Sequence, residues 1–210
     1  MTEPLLANKY YHIFNRGNNS DSVFKSYDDY SYFIHLYSIY AHPFFETFSW
    51  CLMKNHYHFC VRVKNENEFE RFDKRNRWKI EPVIKWQMYS INEIPLEKQI
   101  IPKPHRMLGF MFDAYSKYYN KKYDRTGVVF ERGFEKKLIE KEDYLMELIT
   151  YIHNNPVKHQ ISKDAGLYQW SSYNEILNNS SAFCNSEKII QMFDSKENFV
   201  FIHQSKHADE

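Results

Sequence analysis

The order of apolar and polar residues divides the first third of the chain into a strand, a helix and a hairpin. Residues 9–16 are aromatic and β-prone, and a turn rich in glycine and asparagine follows them. Apolar residues at helical spacing over 27–41 predict the first helix. Residues 45–53 and 57–63 have β composition on either side of a short polar break, which predicts a β-hairpin.

The second half of the chain supplies the remaining elements of a small sheet. Helical spacing returns over 106–123, and a β-prone stretch follows at 128–139. A third helix is predicted over 141–155, with Pro156 as its stop because proline lacks an N–H donor. The order β-α-β-β-α-β followed by a helix predicts an α+β, ferredoxin-like split βαβ fold, with a central antiparallel sheet and helices on one face.

Two segments fall outside this pattern. Residues 66–103 mix charged residues with prolines, and we interpret them as an insertion with one helix at about 83–91. Residues 175–210 are interpreted as a C-terminal extension, with a helical pattern at 187–193 and a polar tail. The predicted organisation is therefore a main domain at 1–174 followed by this extension.

Composition narrows the class of protein. Hydrophobic residues make up 43% of the 210 residues and aromatic residues 18%, which excludes a wholly disordered chain. No apolar run is long enough for a membrane span or an export signal, so we expect a cytoplasmic protein without a membrane partner. Three cysteines without CxxC spacing indicate reduced thiols. The net charge of +1 lacks the basic excess typical of nucleic-acid binders, so any such contact must come from local patches.

Two histidines lie two residues apart in the second strand of the hairpin. Alternation places the apolar residues from Tyr57 to Val63 on one face, and His56 and His58 on the face that we expect helices to leave uncovered. Two imidazoles from one strand can present nitrogen ligands to a divalent metal ion. The alternative is an exposed or hydrogen-bonded pair that binds no metal.

The third helix carries a tyrosine and an asparagine on a flank beside its apolar stripe. Tyr151 and Asn155 are four residues apart and therefore neighbours on the helix surface, while His153 points elsewhere. The pair could supply a nucleophile and a third, oxygen ligand to the metal held by the two histidines. The plainer alternative is that Tyr151 packs half-buried and Asn155 caps the helix before Pro156.

Several motifs accompany these residues in a fixed order. His56-Tyr57-His58 follows Lys54-Asn55, and Tyr151 opens the segment YIHNNPVK. Further motifs lie at 15–19 (NRGNN), 118–123 (YYNKKY), 125–132 (RTG leading to Phe130 and Arg132) and 170–173 (WSSY). Together they resemble the REP-associated tyrosine transposases, single-tyrosine HUH relatives of small insertion-sequence transposases. The resemblance covers about residues 9–173. Departures are Lys54 in place of a common proline, His159-Gln160 in place of small residues, and the long insertion.

The resemblance implies an HUH transposase-like domain that cleaves single-stranded DNA and transfers the strand through a 5'-phosphotyrosine. Tyr151 would be the catalytic nucleophile, and His56, His58 and Asn155 would bind Mg²⁺ or Mn²⁺. The partner would be single-stranded or hairpin DNA, with a homodimer left open. The residues that would contact DNA are Arg16, Asn18, Asn19, Lys54, Asn120, Lys121, Lys122, Arg125, Arg132 and Lys158.

Other functions remain open from the sequence. One is a non-catalytic, DNA-binding regulatory protein on the same scaffold, and another is a metal-dependent phosphodiesterase that uses activated water. The tyrosines and lysines at 115–123 also have a plainer interpretation, since helical spacing is typical of core tyrosines and solvated lysines.

Overall fold

A computed structural model describes residues 4–69, 103–131, 133–141 and 143–205. Most of the predicted insertion, with its helix at 83–91, lies outside the described residues. So do Arg132, one of the residues predicted to contact DNA, and residues 206–210 of the polar tail.

The described residues contain a four-stranded antiparallel sheet. The strands are β1 (Tyr10–Arg16), β2 (Phe45–Met53), β3 (His56–Val63) and β4 (Glu135–Ile139), and the helices between them are α1 (Tyr27–Tyr40) and α2 (Pro104–Lys122). The strand order across the sheet is β2-β3-β1-β4. Every pair of neighbouring strands in this order is antiparallel. The predicted α+β, ferredoxin-like class is confirmed.

One face of the sheet packs on α1 and α2. The ring of Tyr57 lies 5.3 Å from Phe33 of α1 and 5.4 Å from Phe112 of α2. Phe59 stacks on Tyr37 of α1 at 4.3 Å. The alternation predicted for β3 is therefore confirmed, and His56 and His58 lie on the opposite face.

The helix α3 (Asp143–Lys158) covers that opposite face. Its Tyr151 ring contacts His58, so the expectation of a face without helices is wrong. The prediction that Pro156 stops the helix is also wrong, because α3 continues to Lys158. Proline removes only one donor in the last turn, and the carbonyl of Asn155 still accepts from a backbone N–H at 3.0 Å. Asn155 therefore lies inside the helix and is not its cap.

The last strand is shorter than the pattern predicts. Among the described residues, β4 covers only Glu135–Ile139, whereas the predicted strand began at residue 128. Gly133 has a φ of 79°, a left-handed conformation that ends extended structure. Before it, Phe130 makes one isolated bridge to Gly17.

The C-terminal segment folds into α4 (Tyr173–Leu177), α5 (Ser186–Met192) and α6 (Lys196–Ser205). The helix predicted at 187–193 is confirmed as α5, whereas α6 was not predicted. Apolar residues of this segment join the main buried cluster: Ile176, Ile189, Phe193 and Phe199. The domain boundary at 174 stays a prediction. Among the described residues, no helix is both long and apolar enough to cross a membrane.

A chain of buried hydrogen bonds connects α6 to α3 and the sheet. His203 Nδ1 lies 2.7 Å from the carbonyl of Phe199 and must donate to it, so its Nε2 accepts from His153 Nδ1 at 2.9 Å. The other nitrogen of His153 therefore accepts from the Ser172 hydroxyl at 2.8 Å. That hydroxyl oxygen in turn accepts from the backbone N–H of Trp50 in β2. Every donor in this chain has an acceptor.

We expect His203→Phe to lower the free energy of unfolding by about 1–3 kcal/mol, because it leaves the His153 N–H buried without an acceptor. Urea denaturation measures the change. His35→Phe on the exposed side of α1 is the matched control and should change stability by less than about 0.5 kcal/mol. Equal stabilities of the two variants would contradict the stabilising role of this series of hydrogen bonds.

Candidate active site

The two histidines occupy the start of β3, on the face that α3 covers. His56 is half-buried and His58 is buried, and their ring centroids lie 5.1 Å apart. Since their side chains alternate with the core residues of the same strand, the apolar packing of β3 fixes the direction in which both imidazoles project.

Helix α3 places one residue beside each histidine. The Tyr151 ring lies edge-on to His58 at 5.9 Å, and Asn155 Oδ1 lies 3.1 Å from His56 Nε2. Four helical residues rise about 6 Å and two strand residues about 6.6 Å, so the two spacings match. The matching spacings bring all four side chains together.

As the two neighbouring amides are placed, a neutral His56 imidazole cannot donate to both of them. Its Nδ1 lies 2.8 Å from the amide oxygen of Asn55, and its Nε2 faces the amide oxygen of Asn155. A neutral ring has one N–H and can satisfy only one of them. Asn155 is fully buried and its Nδ2 has no partner among the described residues. Turning the amide over would give Nδ2 a partner but would leave Oδ1 in the unpaired position.

A divalent cation fits this donor set better than a second proton. Burial, together with nearby His159 and Arg16, lowers the pKa of His56, although its bond to Asn155 opposes that shift. The lowered pKa disfavours the doubly protonated ring. The 3.1 Å between His56 Nε2 and Asn155 Oδ1 matches the separation of about 3 Å between two neighbouring ligands that lie about 2.1 Å from one octahedral ion.

A third metal ligand beside His56 and His58 would have to be of a different type. No group of three His, Cys, Asp or Glu side chains close enough to hold a metal ion occurs in the part of the chain that the structure describes. Asn155 supplies an amide oxygen at the required place. The ligand roles of His56, His58 and Asn155 stay predictions, with a geometry that is compatible with them.

A third imidazole belongs to the cluster, and the sequence reasoning missed it. His12 of β1 is buried, and its Nε2 lies 2.9 Å from His58 Nδ1. Burial, with a smaller effect of Lys137, lowers the pKa of His12 to about 4. The pattern YYHIFNR contained the signal, since alternation in β1 places His12 and Arg16 on one face.

Three residues predicted to contact DNA lie around the histidine end of the sheet. Arg16 pairs opposite His56 in the register of β1 and β3. Lys54 is exposed in the turn between β2 and β3. Lys158 lies in the last turn of α3, with its Nζ 5.8 Å from the centre of the Tyr151 ring.

The other predicted contacts lie in the turn after β1 and near the end of α2. Asn18 and Asn19 form a short helical turn, and Lys121 is exposed. The remaining three have partners within the protein: Asn120 donates to the Gly127 carbonyl at 2.8 Å, Lys122 pairs with Asp29 at 2.8 Å, and the Arg125 guanidinium lies 5.5 Å from the Tyr119 ring. Tyr115 and Tyr119 are buried in the core. DNA contact by any of these residues stays a prediction.

The fold resembles that of a solved REP-associated tyrosine transposase bound to a REP hairpin. The TM-score is 0.53 at 12% sequence identity, over 85% of this chain and 84% of that chain. At this identity the likeness establishes a related fold. No protein-family model matches the chain, and no curated protein matches its sequence.

Buried histidines predict a loss of stability in mild acid. Burial lowers the pKa of His12, His56, His58 and His153 below the ordinary value of 6.5. Below pH 6.5 the unfolded chain binds protons that the folded chain does not, so stability is lost as the pH falls towards the folded pKa. Because its pKa is about 4 in the folded protein, His12 alone should lower the free energy of unfolding by about 2 kcal/mol between pH 7 and pH 5.

The measurement is the free energy of unfolding in urea at pH 7 and pH 5. In His12→Gln the loss between these values should be smaller by about 2 kcal/mol, because glutamine does not titrate. Carboxylates such as Asp29 and Glu46, whose pKa values are lowered, lose their contribution at more acidic pH. A wild-type stability that is unchanged between pH 7 and 5 contradicts the prediction.

Proposed function

We propose that the protein is a metal-dependent transposase that cleaves single-stranded DNA and transfers the strand through a 5'-phosphotyrosine. The observation that carries this proposal is the meeting of Tyr151 and Asn155 with His58 and His56. His56, His58 and Asn155 would hold Mg²⁺ or Mn²⁺, which would supply Lewis-acid chemistry at the scissile phosphate.

Tyr151 is the residue of the cluster best placed to act as nucleophile. Its side chain is 41% exposed, so a polymer can reach it, whereas His58 and Asn155 are buried. Its phenol oxygen forms the new bond to phosphorus while the bond to the 3'-oxygen breaks. The phenol gives up its proton and the 3'-oxygen gains one, which leaves a 5'-phosphotyrosine and a free 3'-hydroxyl.

The cations around the site support a nucleic-acid substrate. Arg16 lies opposite His56 in the sheet and pairs with Glu131 at 2.5 Å, and both side chains are well exposed. An exposed pair of this kind is worth little, so a phosphate can compete for the guanidinium. The structural neighbour, which is bound to a REP hairpin, supports a DNA hairpin as the substrate.

We expect wild-type protein to form a covalent adduct with a hairpin oligonucleotide in Mn²⁺, and Tyr151→Phe to form none. The oligonucleotide carries a fluorescent label at its 3' end, because that fragment stays attached to tyrosine through its 5'-phosphate. A denaturing gel measures the labelled protein band. Tyr144→Phe is the matched control, since Tyr144 lies on the same helix and is also 41% exposed. It should retain the adduct.

Two outcomes would overturn strand transfer. Cleavage without an adduct would indicate hydrolysis by activated water, and binding without cleavage would indicate a DNA-binding regulator. In both cases Tyr151→Phe should behave like the wild type.

Asn155 provides a separate test of the metal site. We expect Asn155→Leu to abolish cleavage and to weaken Mn²⁺ binding by about tenfold or more, because leucine has a similar shape but no oxygen. Asn155→Gln keeps an amide oxygen and should retain partial activity. Isothermal titration with Mn²⁺ measures the affinity, and full activity of Asn155→Leu would show that Asn155 is not a ligand.

A further inference from the structure

The contact between His12 and His58 joins two nitrogen atoms in a buried place. The ring centroids lie 5.0 Å apart with the ring planes 28° from parallel, and His12 Nε2 lies 2.9 Å from His58 Nδ1. Both residues are less than a tenth exposed. Only one hydrogen fits between two nitrogens at this distance, so one ring donates and the other accepts.

The direction of this hydrogen bond decides what His58 can bind. If His58 Nδ1 carries the hydrogen and donates it, the lone pair of a neutral His58 ring lies on Nε2, where it can bind a metal ion. If His12 donates instead, the hydrogen of a neutral His58 ring lies on Nε2 and blocks that ligand atom. The same neighbour therefore opens or closes the site, depending on its own tautomer.

We infer that His12 is a positioning residue that accepts a hydrogen bond at Nε2 and so holds His58 with Nε2 open to the divalent ion. This inference rests on the proposed function, since it concerns the same metal site. The arrangement at the other histidine supports it, because the amide oxygen of Asn55, as placed, lies 2.8 Å from His56 Nδ1, where an oxygen can only accept. Each proposed ligand is thus held at Nδ1 by an acceptor, which leaves Nε2 for the ion.

Mn²⁺ affinity of the full chain tests the role of His12 without relying on DNA cleavage. The loss of the electron paramagnetic resonance signal of free Mn²⁺ measures binding. We expect His12→Phe to weaken binding about 10- to 100-fold, because phenylalanine keeps the ring but has no acceptor. His12→Gln keeps an acceptor oxygen and should retain most of the affinity. The matched control is Phe14→Leu, which alters packing against the same two rings and should bind Mn²⁺ like the wild type.

The tautomer itself is measured by long-range ¹H–¹⁵N correlation of the histidine rings in the wild-type protein with Mg²⁺. We expect the hydrogen of His58 on Nδ1 and that of His12 on its own Nδ1. A hydrogen on His58 Nε2 overturns the inference even where His12→Phe fails to fold.

The affinity outcomes separate this inference from the proposed function. Equal Mn²⁺ affinities of wild type and His12→Phe would overturn the role of His12 and leave the metal site standing. Equal losses in His12→Gln and His12→Phe would overturn the acceptor argument. A wild-type protein that binds no Mn²⁺ would remove the metal from the proposed function, and the role of His12 with it.

Discussion

The equal spacing of two residues on β3 and four residues on α3 is the constraint on which the candidate site depends. A slip of one residue in the pairing of β3 would turn both His56 and His58 into the apolar core. A rotation of α3 by one residue, about 100°, would move Tyr151 and Asn155 away from the strand together. The site therefore exists only while the register of the strand and the rotation of the helix are both fixed.

Different parts of the fold fix these two quantities. The core face of β3, packed on α1 and α2 through Tyr57 and Phe59, sets the strand register. The helix is held from its other side, where His153 bonds to His203 and the amide of Asn154 donates to the His203 carbonyl at 2.9 Å. A helix close to the C-terminus thus contributes to the geometry of the site without contacting its proposed ligands.

Local patterns predicted most of the fold, whereas contacts between distant segments escaped them. Alternation in β3 and helical spacing in α3 depend on neighbouring residues, so the sequence revealed the faces that carry His58 and Tyr151. The effect of Pro156 was misjudged, because the cost of a missing N–H depends on its place in the helix. His12 was missed because it hydrogen-bonds to His58, which lies 46 positions away on another strand. Periodicity within one segment does not show which strands pair.

Two histidine clusters in the same molecule differ in how the hydrogen-bond donors and acceptors of their rings pair. The cluster around His153 satisfies every donor with an acceptor from the protein. The cluster around His56 places two amide oxygens against one imidazole and leaves Asn155 Nδ2 without a partner among the described residues. An unpaired buried polar atom costs about 1–3 kcal/mol, and an apolar residue in its place would avoid that cost. A cation bound by His56 Nε2 and Asn155 Oδ1 would take the place of the hydrogen bond between them. The proposed metal ion would therefore give this pair of atoms a use beyond stability.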